Sequence, residues 1–283
     1  MFKKALPAVV RRYTGDEPRY NSRMPKIDKH PAGSFCWVEL GTTDQTGAKT
    51  FYASLFGWTP ADLPMAPNEY YTMFTLNDEQ VAAAYAMGEQ ERSLLPPHWN
   101  LYVAVESADD SARRAGELGG YVLTAPFDVM TSGRMAVIQD PVGAVFCIWQ
   151  PLEHQGTTVV GENGMLCWAE LNTRDPGRAK EFYEDLFGWK IGAAEKYPPN
   201  YLVIRNGEQS IAGIPPADAW DPKVPSQWLL FFRVADVDAA AAKAKELGGG
   251  EQLAPLSMGT LRLAVLTDPE GAAFSILQPP KQA

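Results

Sequence analysis

Apolar side chains follow two different patterns near the start of each half of the chain. Residues 35–40 form a short apolar run, interrupted only by Glu39, that suits a β-strand. Over residues 48–55 apolar side chains recur at the three- and four-residue spacing of an amphipathic helix. Asp44 is a suitable N-cap for that helix, and Gly57 is suited to end it. The pattern therefore predicts a strand followed by a helix.

The same reading continues through the next hundred residues. A second helix is predicted from Ser107 to Leu118, with Ser107 and Asp110 as a capping box and a Gly-Gly stop. Six further strands are predicted at Tyr70–Leu76, Val81–Met87, Trp99–Val105, Tyr121–Pro126, Arg134–Gln139 and Val145–Gln150. A strand, a helix and several strands thus occur twice, which predicts an α+β fold with mostly antiparallel sheets.

An internal repeat divides the chain. Residues 35–58 and 166–189 share 14 of 24 positions at a constant offset of 131, including the pair Phe-Tyr and the ending Leu-Phe-Gly-Trp. Later turns match as well, with Asp140-Pro141 corresponding to Asp268-Pro269. Two copies of one domain follow from this repeat.

We assign four segments on this basis. They are an N-terminal arm (1–32), a first domain (33–152), a linker (153–163) and a second domain (164–280). The first 30 residues carry eight basic and three acidic side chains, whereas the whole chain has a net charge of −9. We expect this arm to lie on the acidic body, with a specific anionic partner as the alternative.

Composition excludes several classes of protein. Three cysteines in 283 residues cannot form a disulfide framework, which indicates a reducing, cytoplasmic setting. No apolar stretch is long enough to cross a membrane. The acidic balance argues against nucleic acid as a partner. A small molecule is the expected partner, and the chain is expected to be a monomer or a homodimer.

Strand alternation separates two faces of the sheet. Cys36, Val38 and Leu40 are expected to pack on the helix, which leaves Trp37 and Glu39 on the opposite, concave face. The same reasoning places other side chains on the concave faces, namely His98, Asn100, Tyr102, Cys147 and Trp149 in the first domain and Trp168, Glu170, Leu229, Phe231 and Ser275 in the second. Aromatic walls with a few polar groups are typical of a small-molecule site.

The Trp-x-Glu-Leu strand, the Phe-Tyr and Leu-Phe-Gly-Trp helix and the later Asp-Pro-x-Gly turn resemble the vicinal oxygen chelate superfamily. This superfamily includes glyoxalases, extradiol dioxygenases and bleomycin-resistance proteins, and the chain resembles its bacterial two-domain glyoxalase-like members. The resemblance implies tandem domains built from four βαβββ units with cupped sheets.

The resemblance also implies four inward positions where metal-dependent members bind an ion. In this chain they correspond to Trp37, Asn100, Cys147 and a position within 81–85, which contains neither a carboxylate nor an imidazole. In the second copy three of them are Trp168, Leu229 and Ser275. Indole and leucine side chains cannot bind a metal. We therefore expect no metal and no other cofactor.

Glu39 and Glu170 are the most suggestive residues. Desolvation beside a tryptophan would raise the pKa of each carboxyl and suit it to proton abstraction. The alternative is a structural ion pair with Arg134 or Arg262, which recur in the two copies. We predict Glu39, His98 and Tyr102 as catalytic residues. The predicted substrate-binding residues are Trp37, Asn100, Cys147, Trp149, Arg134, Trp168, Glu170 and Phe231.

Three functions remain open at this point. The leading hypothesis is a metal-independent glyoxalase-like enzyme acting on a hydrophobic or aromatic, natural-product-like molecule by acid–base isomerisation, dehydration or cyclisation. The second is a non-catalytic protein that binds and sequesters such a molecule. The third is a metal-dependent glyoxalase or dioxygenase.

Overall fold

A computed structural model of the chain describes residues 27–280, apart from 196, 198 and 220–222. Most of the predicted basic arm, residues 1–26, lies outside the described residues. The elements of the first domain are β1 (Phe35–Thr42), α1 (Gln45–Phe56), β2 (Thr59–Ala66), β3 (Glu69–Leu76), β4 (Glu79–Ala86), α2 (Glu89–Leu94), β5 (His98–Ala104), α3 (Ala108–Glu117), β6 (Tyr121–Val129), β7 (Gly133–Gln139) and β8 (Val145–Pro151).

The second domain repeats this order. Its elements are β9 (Leu166–Asn172), α4 (Pro176–Phe187), β10 (Lys190–Ala193), β11 (Leu202–Asn206), β12 (Gln209–Ile214), a short 3₁₀ turn (Ala217–Ala219), β13 (Gln227–Arg233), α5 (Val237–Glu246), β14 (Gly250–Met258), β15 (Leu261–Thr267) and β16 (Ala273–Gln278). No helix among the described residues has the length and apolar character needed to cross a membrane.

The helices begin where their capping residues predict. The Asp44 carboxylate accepts a hydrogen bond from the Gly47 amide at 2.9 Å, and the Ser107 hydroxyl accepts one from the Asp110 amide at 3.2 Å. Gly57 ends α1 with a φ of 76°, a left-handed conformation that favours glycine. Local sequence therefore fixes these helix ends.

Each domain forms one eight-stranded sheet. The strand order is β2-β3-β4-β1-β5-β8-β7-β6 in the first domain, and the second domain has the equivalent order. The central strands β1 and β5 are antiparallel, and each is parallel to the last strand of its own unit. The remaining pairs are antiparallel, which confirms the α+β class and the tandem βαβββ units.

One Pro-rich segment differs from the sequence interpretation. Residues 59–68 contain three prolines and lie outside the strands predicted from the sequence, yet Thr59–Ala66 forms β2 and pairs with β3. Proline is tolerated there because β2 is an edge strand, so one side of its backbone needs no partner.

The helix-bearing faces of the two sheets share one apolar core. The Tyr52 hydroxyl of α1 lies 3.1 Å from Asp268 of the second domain, and the Tyr183 hydroxyl of α4 lies 2.9 Å from Asp140 of the first. Both tyrosines and both aspartates are buried. Each repeated Phe-Tyr pair therefore contributes a tyrosine that joins the two domains, while the opposite sheet faces point away from this core.

Candidate functional site

A β-bulge at the start of β1 changes one predicted orientation. Pairing with β5 shifts between Phe35 and Trp37, so Cys36 and Trp37 both belong to the cluster on the concave face. The expectation that Cys36 packs on the helix with Val38 is therefore wrong, and Phe35 packs there instead. The extra residue of the bulge interrupts the two-residue alternation.

We call the concave face of the first sheet the first cup. Its inner side chains pack together and are mostly buried, and they come from six strands and from both βαβββ units. They are Trp37, Glu39, Tyr71, Met73, Ala83, Tyr102, Ala104, Met135, Val137, Cys147 and Trp149.

Glu39 lies at the centre of the first cup. The Tyr102 hydroxyl donates to Oε1 of Glu39 at 2.7 Å, and the Tyr71 hydroxyl donates to Oε2 at 2.8 Å. The Trp37 indole donates in turn to the Tyr71 oxygen at 3.2 Å. Glu39 is 9% exposed, so almost all of its solvation comes from these two phenols.

Burial sets the proton affinity of this group. Desolvation raises the pKa of Glu39 above its ordinary value of 4.5, and the two tyrosine hydrogen bonds oppose this effect. Desolvation and the nearby carboxylate raise the pKa values of Tyr71 and Tyr102, so both remain hydrogen-bond donors. The arrangement is a buried carboxyl group held by two neutral donors.

A second polar group forms the rim of the first cup. The Tyr85 hydroxyl donates to Glu91 of α2 at 2.6 Å and accepts from the Asn100 amide at 3.4 Å. His98 is the first residue of β5 and lies two positions before Asn100. Its Nε2 atom is 3.8 Å from Glu91, and its Nδ1 atom is 2.8 Å from the Pro96 carbonyl. The structure thus places His98 and Asn100 at the rim, whereas Tyr102 lies inside.

The edge strands add exposed apolar side chains to the first cup. Leu63 of β2 pairs with Tyr71, and Phe127 of β6 pairs with Met135, so both face the cup. Their exposed fractions are 47% and 42%, whereas the inner side chains of the cup are mostly buried. An apolar ligand would cover this surface.

The linker contributes a residue, His154, that is absent from the predicted site. The His154 ring packs edge-on against Trp37, with ring centroids 4.6 Å apart, and also contacts Trp149. The Trp149 indole donates to the His154 carbonyl at 2.9 Å. Burial lowers the pKa of His154 to about 4, so this imidazole is neutral near pH 7. The linker therefore closes one wall of the first cup.

Arg134 is not in the cup, contrary to the prediction. Its guanidinium faces α3, where it binds Asp109 through two hydrogen bonds of 2.8 and 3.0 Å and Asp128 through one of 2.8 Å. Alternation along β7 explains this, since the neighbouring Met135 faces the cup. Arg262 pairs with Asp238 in the second domain. The proposed ion pairs of Glu39 with Arg134 and of Glu170 with Arg262 are therefore wrong.

Cys147 and Trp149 lie on β8 within the first cup. Desolvation raises the pKa of the Cys147 thiol, which keeps it protonated and unreactive. The Trp149 indole packs over Gly133, where a Cβ atom would overlap the ring. Both residues thus contribute apolar wall.

The concave face of the second sheet, which we call the second cup, repeats part of this arrangement. The Tyr201 hydroxyl donates to Glu170 at 2.8 Å and accepts from the Trp168 indole at 3.1 Å. Phe231 stands where the first cup has Tyr102, because each pairs with the equivalent tryptophan. Glu170 therefore lacks a second tyrosine, and burial raises its pKa to about 7.

The second cup also contains an aromatic stack. The Tyr197 ring stacks on Trp168, with centroids 6.3 Å apart and planes inclined by 15°. It stacks on Tyr201 as well, at 5.3 Å and 6°. Tyr197 therefore covers the indole on which an aromatic ligand would stack.

The metal positions implied by the resemblance do not fit an ion. The Trp37 indole, which cannot bind an ion, donates to Tyr71, and the Asn100 amide nitrogen donates to Tyr85. No group of three or more His, Cys, Asp and Glu side chains within the described part of the chain is arranged to hold a metal. The donor set of the cups is thus suited to protons rather than cations.

Sequence reasoning missed several residues near the cups, among them Tyr71, Tyr201, Glu91 and His154, and one signal could have found the first two. Tyr71 and Tyr201 recur in the two copies at an offset of 130, one less than in the first strand, because the intervening loops differ in length. Glu91 and His154 carry no comparable signal, since each lies on a segment that has no equivalent in the other copy.

Comparison with known families agrees with this geometry. Residues 37–149 match the glyoxalase-like domain, and residues 166–276 match the glyoxalase/bleomycin resistance protein/dioxygenase superfamily model. The chain belongs to this superfamily.

Two relatives cover nearly the whole chain. The protein named "Putative glyoxylase CFP32" of Mycobacterium bovis is 41% identical over 264 residues, which are 92% of this chain and all of the relative. The anthracycline biosynthesis protein DnrV of Streptomyces peucetius is 32% identical over 258 residues, which are 87% of this chain and 93% of the relative.

Solved structures share the fold. A Mn(II)-bound glyoxalase from Novosphingobium aromaticivorans superposes with a TM-score of 0.60 at 16% identity, covering 87% of this chain and 82% of that one. An extradiol ring-cleaving dioxygenase from B. fuscum gives 0.59 at 14% identity, covering 90% and 74%. At these identities the likeness concerns the fold alone.

Proposed function

We propose that the first cup binds a hydrophobic or aromatic small molecule and transfers a proton from it, with Glu39 as the base and without a metal. The observation that carries this proposal is the pair of tyrosine hydroxyls on the two oxygens of one buried carboxylate. The reactions that use such a step include isomerisation, dehydration and cyclisation next to a carbonyl group.

The chemistry follows from the hydrogen bonds. A carboxylate has about four acceptor sites, and two are used by Tyr71 and Tyr102. A free site can take a proton from a carbon acid. Once Glu39 is protonated, it accepts more weakly, and a tyrosine hydroxyl becomes free to donate to the oxyanion formed on the substrate. Trp37 supplies an aromatic wall for the ligand.

The name of one relative supports this substrate class. The name of DnrV assigns that protein to anthracycline biosynthesis, which concerns polycyclic aromatic compounds. The exposed apolar side chains of Leu63 and Phe127, on the edge strands of the first cup, would fit an apolar ligand.

Exchange of α-protons from 1-tetralone in D2O, followed by NMR, tests the proposal. The carboxylate is the active form, and burial raises the Glu39 pKa above 4.5. Exchange is therefore expected to increase with pH through this raised pKa and to disappear as the pH falls below it. We expect the exchange rate to be about 10²- to 10⁴-fold above that of the uncatalysed reaction and to be unchanged by EDTA. Loss of exchange in EDTA would instead favour the metal-dependent alternative.

Sequestration without catalysis is the second candidate function. It is favoured by the Trp–Tyr–Glu chain that recurs in both cups, since a repeated feature suits a structural role. Saturable quenching of tryptophan fluorescence by 1-tetralone, with proton exchange at the background rate, would establish this function in place of proton transfer.

A further inference from the structure

Two buried polar side chains of the second domain have unsatisfied hydrogen-bonding atoms. Neither Oδ1 nor Nδ2 of Asn172 has a hydrogen-bond partner within the described part of the chain, and the same is true of Oγ of Ser275. Both residues are fully buried. An unsatisfied buried polar group is destabilising, so such groups call for an explanation.

Both residues belong to the second cup. Asn172 follows Trp168 and Glu170 at alternate positions of β9, and the pairing with β13 is regular over this stretch. Ser275 lies between Ala273 and Leu277 on β16, and both of these neighbours pack in the concave cluster. The unsatisfied atoms therefore lie on the same concave face, on two of its strands.

The positions of these groups suggest the shape of a ligand. Ser275 pairs with Phe231, which pairs with Trp168, so Ser275 lies level with the indole. Asn172 is four residues further along β9, about 13 Å away along the strand direction. Glu170 lies between them. A flat molecule of two fused rings with a polar group at each end spans this distance.

The first cup has a different pattern. Register places Gly41 and Cys147 where the second cup has Asn172 and Ser275. Conversely, Phe231 replaces Tyr102, and Leu229 replaces Asn100. The polar and apolar positions are exchanged between the cups, so the two concave faces carry hydrogen-bonding groups at different places.

We propose that the second cup is a separate binding site for an uncharged aromatic molecule with hydrogen-bonding groups at its two ends, which stacks on Trp168 in place of Tyr197. Amide or hydroxyl groups of this ligand pair with Asn172 and Ser275. This site is independent of proton transfer in the first cup.

Fluorescence titration with naphthalene-2,6-dicarboxamide tests this site, with 2,6-dimethylnaphthalene as the apolar probe of the same shape. Ser275→Ala and Asn172→Ala are each expected to weaken binding of the dicarboxamide about 3- to 10-fold. Ser275→Ala is expected to leave binding of the dimethyl compound unchanged. Tyr197→Ala is expected to strengthen binding of both probes, because it uncovers the indole.

Ser275→Ala also has an effect without ligand. Removal of an unsatisfied hydroxyl is expected to raise the melting temperature of the free protein by about 2 to 4 °C, which also shows that the variant folds.

Cys147→Ala is the matched change in the first cup and is expected to leave dicarboxamide binding unaltered. Equal affinity of the dicarboxamide for wild type and Ser275→Ala would overturn the proposal. Loss of its binding in Trp37→Ala rather than Trp168→Ala would do the same. The exchange assay with 1-tetralone reports on the first cup separately.

Discussion

Replacement of Glu39 by glutamine is expected to slow proton exchange from 1-tetralone about 10²- to 10³-fold when both proteins are compared on the high-pH plateau of the wild-type profile, above the raised Glu39 pKa. Glutamine has nearly the same shape and still accepts a hydrogen bond from Tyr102 or Tyr71 through its carbonyl oxygen. It cannot take a proton from carbon. The variant therefore removes the base while keeping the cup, and quenching of tryptophan fluorescence by 1-tetralone is expected to persist.

Glu170→Gln is the matched control for this variant. Glu170 occupies the same position in the second copy and has the same Trp–Tyr chain, but it lacks the second tyrosine. Its replacement is expected to leave exchange within about twofold of wild type. An equal loss in both variants would mean that the effect is structural, and full exchange in Glu39→Gln would remove Glu39 from the mechanism.

The second large effect concerns stability. The double variant Tyr52→Phe, Tyr183→Phe is expected to lower the free energy of unfolding by roughly 2–6 kcal/mol. Each hydroxyl donates to a buried aspartate of the other domain and accepts from a buried or half-buried indole, Trp99 for Tyr52 and Trp228 for Tyr183. Each change therefore removes the hydrogen-bond partner of one aspartate Oδ2 atom and of one indole N–H, while Oδ1 of the aspartate keeps its backbone amides. Chemical denaturation followed by circular dichroism measures this loss.

Tyr121→Phe is the control, because that side chain is 67% exposed. It is expected to change the free energy of unfolding by less than about 0.5 kcal/mol. If the double variant were as stable as this control, the two hydroxyl–aspartate contacts would not hold the domains together.

Much of this structure could be predicted because helix caps and strand alternation depend on residues that are close together in the sequence. Capping by Asp44 and Ser107 depends on residues three positions apart, so the sequence alone identifies the helix starts. Alternation placed Trp37 and Glu39 on the concave face together with Tyr102. These features follow from the period of a strand, which needs no knowledge of its partners.

Other features depend on contacts that the sequence does not display. The bulge beside Cys36 arises from pairing with β5 and cancels the alternation that seemed to direct this residue toward the helix. Arg134 was assigned to the cup, yet its recurrence in both copies reflects a repeated carboxylate beside it, Asp109 in the first domain and Asp238 in the second. His154 lies in a linker whose path is fixed by backbone contacts with β1.

A crystal structure of the protein with bound 1-tetralone tests the central claim most directly. The account predicts that the ring lies against Trp37 in the first cup, with the α-carbon beside the Glu39 carboxylate and the carbonyl oxygen within reach of a Tyr71 or Tyr102 hydroxyl. An ion held by protein side chains in that cup, or a ligand that never approaches Glu39, would contradict it.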